Sequence, residues 1–207
     1  MSSLENKERF DALASQWDSK PERVEGAMLF VDKIIESIDE DISNFDLLDY
    51  GSGSGLVSFG FANKVSSITG LDNSPAMLDI YDQKIKQIGF KNISSKLHDI
   101  NNEYLENTYY NIIATNMTMH HIQDIEMFVQ KLYDSLKPNG YLFIADLVSE
   151  DGSFHSDNYG VEHFGFEMKY IKQVFQDTGF KDINIEILNT IKKPQNSFDV
   201  FIIKGKK

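Results

Sequence analysis

Short apolar runs alternate with amphipathic stretches along nearly the whole chain, and this alternation restricts the fold more than any other feature. "FDLLDY" (45–50), "VSSITGLD" (65–72), "ISSKLHD" (93–99), "YYNIIATN" (109–116) and "YLFIADL" (141–147) read as strands. Helical spacing fills the intervals between most of them. Strands that alternate with helices build βαβ units, and therefore a parallel sheet covered on both faces. Two last strands, near 180–190 and 197–204, have no helix between them and should pair antiparallel. The expected fold class is α/β: a doubly wound, seven-stranded, mostly parallel sheet with the last strand antiparallel and helices on both faces.

Local signals agree with this layout. A short helix is expected over 5–16 and a second after Pro21, with Val24, Met28, Val31, Ile35 and Ile38 on one face. Ser74 reads as an N-cap with Pro75 at the first helical position, and Gly89 as the stop. "KPNG" (137–140) reads as a turn. No repeat or linker interrupts the 207 residues, so one domain over 1–207 is expected, with 1–40 as an N-terminal helical segment and 41–207 as the core.

In open α/β sheets, ligands bind beyond the carboxyl ends of the strands. The strand exits here carry Asp49 with a glycine loop, then Asp72 and Asn73, then His98, Asp99 and Ile100, then Asn116 through His121, and finally Asp146. The loop, "LLDYGSGSG" (47–55), lets a ligand approach bare backbone at Gly51, Gly53 and Gly55. Asp72 ends the second strand about 20 residues further on, where a carboxylate can accept from both hydroxyls of a ribose. Strand, glycine loop, helix, strand and acid together favour a nucleoside over an empty turn. The sixth position from Gly51 is Leu56, and from Gly53 it is Ser58, so the third glycine of a dinucleotide fingerprint is missing. That disfavours a nicotinamide dehydrogenase. No P-loop is present either. A ligand with ribose and adenine but no pyrophosphate fits best.

These residues resemble the motifs of class I S-adenosylmethionine-dependent methyltransferases, most closely those acting on small molecules. "LLDYGSGSG" is similar to the family's first motif, "GLDNSPAMLD" (70–79) to the second, "LHDI" (97–100) to the third and "YYNIIATNMTMHHIQD" (109–124) to the fourth. "LKPNGYLFIADL" (136–147) and "GFKDINIE" (179–186) also match, and "FDALASQWDSKPERVE" (10–25) resembles an N-terminal lid. The resemblance implies a Rossmann-like core that binds S-adenosyl-L-methionine and releases S-adenosyl-L-homocysteine. It places Gly51, Gly53 and Gly55 beside the methionine portion with Asp49 near its amino group, and Asp72 on the ribose. Asn73 and Met77 flank adenine, Asp99 accepts from the adenine amino group, and the Ile100 amide donates to the ring. Asn116 borders the reacting end, and Trp17 closes over the cofactor.

Methyl transfer from a sulfonium is an in-line displacement that needs no metal, and a base only where the acceptor must lose a proton. The candidate bases are His120, His121, His155 and His163, with His121, His155 and His163 taken as the candidate catalytic residues; His120 and His121 lie in "HHIQD", where relatives use histidine to brace the loop. His155, Asp157 and His163 match no strong ligand spacing, so no metal is expected.

Absences narrow the partners. A net charge of -12 repels phosphate backbones and disfavours nucleic acid. The chain has no cysteine, which excludes disulfides, thiolate metal sites and cysteine nucleophiles. "NMTM" (116–119) stands where amine-positioning enzymes carry an Asn/Asp-Pro-Pro-Tyr/Phe tetrad. A small-molecule acceptor is therefore expected. "MSSLENKERF" has no apolar core of a signal peptide, and no apolar run reaches membrane-spanning length, so a cytoplasmic protein without membrane contact is expected. The alternative function is a non-catalytic S-adenosylmethionine-binding or scaffolding protein of the same fold.

Overall fold

Leu47 and Leu48 are neighbours in one strand and both are fully buried, each in a different core cluster. Side chains alternate across a strand, so two consecutive buried residues require a sheet covered on both faces. The computed structural model describes residues 2–100, 102–107 and 109–207 and shows that arrangement. Its strands are β1 (Asp46–Tyr50), β2 (Ser67–Asp72), β3 (Ile93–Leu97), β4 (Tyr110–Asn116), β5 (Leu136–Leu147), β6 (Lys181–Lys192) and β7 (Ser197–Lys206). They form one sheet in the order β3-β2-β1-β4-β5-β7-β6. The first five are parallel; β7 runs antiparallel between β5 and β6. The chain reverses its winding between β1 and β4, which opens a crevice at their carboxyl ends.

The helices are α1 (Ser2–Leu13), α2 (Pro21–Glu36), α3 (Leu56–Phe61), α4 (Pro75–Ile88), α5 (Ile125–Ser135) and α6 (Met168–Thr178). One sheet face packs against Ala27, Phe30, Val31 and Ile34 of α2, Phe61 of α3 and Tyr81 of α4. The other packs against Phe128, Val129 and Leu132 of α5 and Ile171 and Phe175 of α6. α4 starts as its sequence suggests, with Ser74 Oγ accepting from the Met77 N–H at 3.2 Å and Gly89 in the left-handed conformation at its end. Among the described residues, no helix is long and apolar enough to cross a membrane.

Two local expectations are corrected. The buried stripe of α2 is Ala27, Phe30, Val31 and Ile34, while Val24, Met28 and Ile35 lie at its margin. "KPNG" is not a free turn but the first part of β5, bent by Asn139 at φ +64°. The chain's last residue pairs with that bend: the Asn139 N–H donates to Lys207 O at 3.1 Å, and the Lys207 N–H to Gly140 O at 2.9 Å. A partner strand that far away in sequence turns a turn-forming tetrad into a bulge.

Candidate active site

The strand exits enclose a cavity of about 730 Å³ under α1 and the 3-10 turn Ala14–Ser19. It is lined by Trp17, Asp49, Gly51, Gly53, Asp72 and Asn73, and further by Met77, Asp99, Ile100, Asn116, His121 and His155. Gly55 and His163, also expected in the site, are not part of this wall.

The three loop glycines do different things. All have positive φ, +69°, +51° and +89° for Gly51, Gly53 and Gly55. A Cβ on Gly51 would lie 2.2 Å from Thr118 Oγ1, and one on Gly55 would meet the Tyr81 and Phe59 rings at 2.6 and 2.7 Å. Only Gly53 opens toward the cavity, with Trp17 Nε1 at 3.9 Å and Met77 Sδ at 4.0 Å from its Cβ position. Clearance for a ligand therefore rests on Gly53; the other two make room for the protein itself.

The acids at the exits have separate environments. Asp72 accepts from the Gly53 N–H at 2.7 Å through one carboxylate oxygen and from the Ser74 N–H at 2.9 Å through the other. The Asn73 N–H acts on the same carboxylate; a carboxylate has about four acceptor sites, which leaves room for a ligand hydroxyl. Asp49 is buried, and its carboxylate accepts from the Ser58 N–H at 3.0 Å and the Ser58 hydroxyl at 2.6 Å. Burial, helped by nearby Asp72, pushes its pKa up to about 7 in spite of those bonds. Asp99 accepts from the Asn102 side chain at 2.8 Å. The Ile100 N–H, expected to meet adenine, instead donates to the Tyr50 hydroxyl at 3.1 Å. That hydroxyl was not anticipated, because β1 and the residue after β3 are far apart in sequence.

The N-terminal segment over the cavity is fastened at several points. Asp11 accepts from Ser74 Oγ at 2.6 Å and the Ala76 N–H at 3.1 Å, at the start of α4, where a carboxylate is favoured. Asp18 accepts from Ser54 Oγ at 2.5 Å and pairs with Lys84. The Arg23 guanidinium lies 3.7 Å from the Trp17 ring centroid.

Histidines gather at the far end. His120 and Asp146 are both buried, with His120 Nδ1 and the Asp146 carboxylate 2.7 Å apart. A carboxylate accepts, so Nδ1 carries the proton, and the buried, unpartnered Nε2 presents a lone pair. His121 donates from Nδ1 to Gly160 O at 2.8 Å, and burial holds its pKa well below the usual value. His155 is opposite. Arg9, a donor only, lies 3.3 Å from its Nδ1, so that nitrogen accepts and the buried, unpartnered Nε2 carries the proton. Burial, with His120 and Arg9 nearby, lowers the His155 pKa to about 3, so this ring is neutral at pH 7.

The ligating atoms of His120, His121 and His155 all lie within 4.8 Å of one another, a set that can hold a metal ion. The guanidinium on the third ring puts a fixed cation beside that point and disfavours a second. His163 faces elsewhere: its Nε2 donates to Ile122 O at 2.9 Å and ties down the loop after β5. Sequence reasoning passed over Asp146 as the partner of His120, although both stand at neighbouring strand exits.

A family model described as a methyltransferase domain matches residues 14–185. An uncharacterized methyltransferase of Schizosaccharomyces pombe is 27% identical over 178 residues, covering 74% of this chain and 63% of the relative. A ubiquinone biosynthesis O-methyltransferase of Rickettsia canadensis is 25% identical over 160 residues, covering 71% and 65%. The chain thus spans under two thirds of the length of these curated relatives. Among solved structures, an S-adenosylmethionine-dependent methyltransferase of Aquifex aeolicus superposes with TM-score 0.69 at 18% identity, covering 95% of this chain and 97% of that one. Haemonchus contortus phosphoethanolamine N-methyltransferase 2, in complex with S-adenosyl-L-methionine, gives TM-score 0.72 at 16% identity, covering 86% and 52%.

Proposed function

This chain belongs to the methyltransferase-domain family, and we propose that it transfers a methyl group from S-adenosyl-L-methionine to a hydroxyl oxygen of a small-molecule acceptor. The observation that carries the choice of oxygen is the pair of unpartnered ring nitrogens, His120 Nε2 with a lone pair and His155 Nε2 with a proton. A hydroxyl both donates and accepts, so one group satisfies both rings. The name of the Rickettsia relative, an O-methyltransferase, favours the same atom.

The cavity fits the cofactor. Its volume lies within the range of about 300–1,000 Å³ usual for small-molecule sites. Asp72 keeps acceptor capacity for a ribose hydroxyl, and Asn73 and Met77 line the wall beside it. The open Gly53 backbone would receive the amino-acid tail, with Asp49 near its ammonium and Arg23 near its carboxylate. S-adenosyl-L-methionine supplies a methyl group already activated on sulfur. The displacement forms an O–CH3 bond, breaks the S–CH3 bond and leaves S-adenosyl-L-homocysteine.

The protein's own contribution is position and a proton sink. His120 Nε2 takes the hydroxyl proton as the oxygen attacks, and Asp146 stabilises the resulting imidazolium. His155 Nε2–H holds the oxygen in place. Alignment of oxygen, methyl and sulfur can supply up to about 7–11 kcal/mol of the barrier. General-base help adds roughly 100- to 10,000-fold.

The test is an incubation with S-adenosyl-L-methionine and a panel of phenols, alcohols, amines and thiols, read by mass spectrometry. Products methylated on oxygen are expected. Methylation of nitrogen or sulfur with none on oxygen would overturn the choice of atom. Failure to bind either form of the cofactor in calorimetry would remove the methyltransferase reading itself.

A further inference from the structure

The chain has a net charge of -12 and only two arginines, Arg9 and Arg23, yet both line this cavity, together with Lys20, Lys192 and Lys193. Three of the four acids in the wall, Asp49, Asp72 and Asp99, stand at the ends of β1 to β3, in the half suited to the nucleoside. The remaining wall holds these five cations against Glu22 alone. Among the described residues, none of the five has a carboxylate within 4.0 Å, while four lysines pair with carboxylates elsewhere. In so acidic a protein, unpaired cations around one cavity mark a field of the opposite sign from the rest of the surface.

Two of them converge on the acceptor end. Arg9 touches His155 directly. Lys193 donates to the Phe154 carbonyl, one residue before His155, and lies 4.0 Å from the Phe154 ring centroid. Arg9 and Lys193 are both close enough to His155 to disfavour a proton on its ring. The surrounding wall is apolar, with Phe10, Phe154, Leu188 and Ile191. Arg23, by contrast, stacks on Trp17 near the glycine loop and serves the cofactor end.

We infer that Arg9 and Lys193 form an anion subsite for the methyl acceptor, so that the substrate is a hydroxylated small molecule carrying a carboxylate close to the hydroxyl that is methylated. The inference rests on the methyltransferase reading for the hydroxyl, but the anion subsite has its own observable. A carboxylate between a guanidinium and an ammonium, against apolar walls, gains charge-assisted hydrogen bonds and loses them on esterification. The other available source of a carboxylate is the cofactor's own methionine end, and the arms of the experiment separate the two.

The experiment is calorimetry on the full chain saturated with S-adenosyl-L-homocysteine, with the three hydroxybenzoate isomers and their methyl esters as probes. At least one acid is expected to bind, and its ester to bind at least tenfold more weakly. Lys193→Ala should weaken that acid by about tenfold and Lys193→Glu further, with the ester unaffected and S-adenosyl-L-homocysteine affinity within twofold. Circular dichroism and cofactor affinity report whether each variant is folded. Equal binding of acids and esters, or no binding of any acid, overturns the subsite. Loss of cofactor affinity in a folded Lys193→Ala assigns the cation to the cofactor and overturns it as well. If S-adenosyl-L-homocysteine does not bind wild type at all, the failure lies with the methyltransferase reading.

Discussion

Thr118 occupies the space that a side chain on Gly51 would need. A Cβ there would lie 2.2, 2.5 and 2.8 Å from its Oγ1, Cγ2 and Cβ. Met117, at φ +56°, makes the turn just before it, a conformation uncommon outside glycine. The end of β4 is thereby keyed into the loop after β1.

Gly51→Ala should therefore act on the fold. Overpacking and the left-handed backbone each cost about 1–3 kcal/mol. Thr118→Gly in the same chain should recover part of the loss by removing the clash. Gly53→Ala should cost less stability, since its Cβ meets nothing closer than 3.9 Å, and instead weaken cofactor binding. Urea denaturation and calorimetry on the three variants measure both effects. Equal stability of the two single variants would refute the division of roles.

His120→Ala should lower kcat by roughly 100- to 10,000-fold while leaving S-adenosyl-L-homocysteine affinity within about twofold. Asp146→Asn should lower kcat as well, because the amide can present a donor to Nδ1 and favour the wrong tautomer. His163→Ala should reduce stability more than it reduces kcat in the folded fraction, since its ring ties down the Ile122 carbonyl and is not itself part of the cavity wall. Steady-state kinetics on an accepted substrate checks all three.

How much of this was legible beforehand follows from the range of the interactions. Strand and helix order came from local periodicity, and the cavity wall from the rule that ligands sit at strand exits. Asp72 and Met77 were readable because their spacing is set within one βαβ unit. His120 with Asp146, Tyr50 with the Ile100 amide, and Thr118 with Gly51 join different strand exits, and no local pattern encodes them. The same limit explains "KPNG", whose partner is the last residue of the chain.

Asp49 should make stability and binding depend on pH in opposite directions. Its folded pKa of about 7 lies above the usual carboxylate value, so its contribution is present at low pH and is lost as pH rises through 7. At 1.36 kcal/mol per unit, the loss is on the order of 2–4 kcal/mol. Asp49→Asn should therefore gain stability over wild type between pH 5 and pH 8 in chemical denaturation, to within about that amount. A bound ammonium favours the carboxylate, so S-adenosyl-L-homocysteine should bind wild type more tightly as pH rises from about 5.5 to 7.5, with proton release. Calorimetry in buffers of different ionisation enthalpy reads that proton; uptake instead of release would contradict it.

Asp11→Ala should loosen the N-terminal segment over the cavity. It removes the acceptor for Ser74 Oγ and the Ala76 N–H, a loss of about 1–2 kcal/mol. Dissociation of S-adenosyl-L-homocysteine should accelerate by about tenfold, with a smaller change in thermal stability. Stopped-flow displacement measures the rate.

The helix that carries Asp11 also carries Arg9, which donates to the Tyr159 carbonyl and contacts His155. One short segment thus spans both the nucleoside end and the acceptor end of the cavity. Lifting this segment would release both anchors together, and we expect exchange at either end to follow it. A single opening event would then time every cycle, and acceptors of different intrinsic reactivity would converge on one maximal turnover rate.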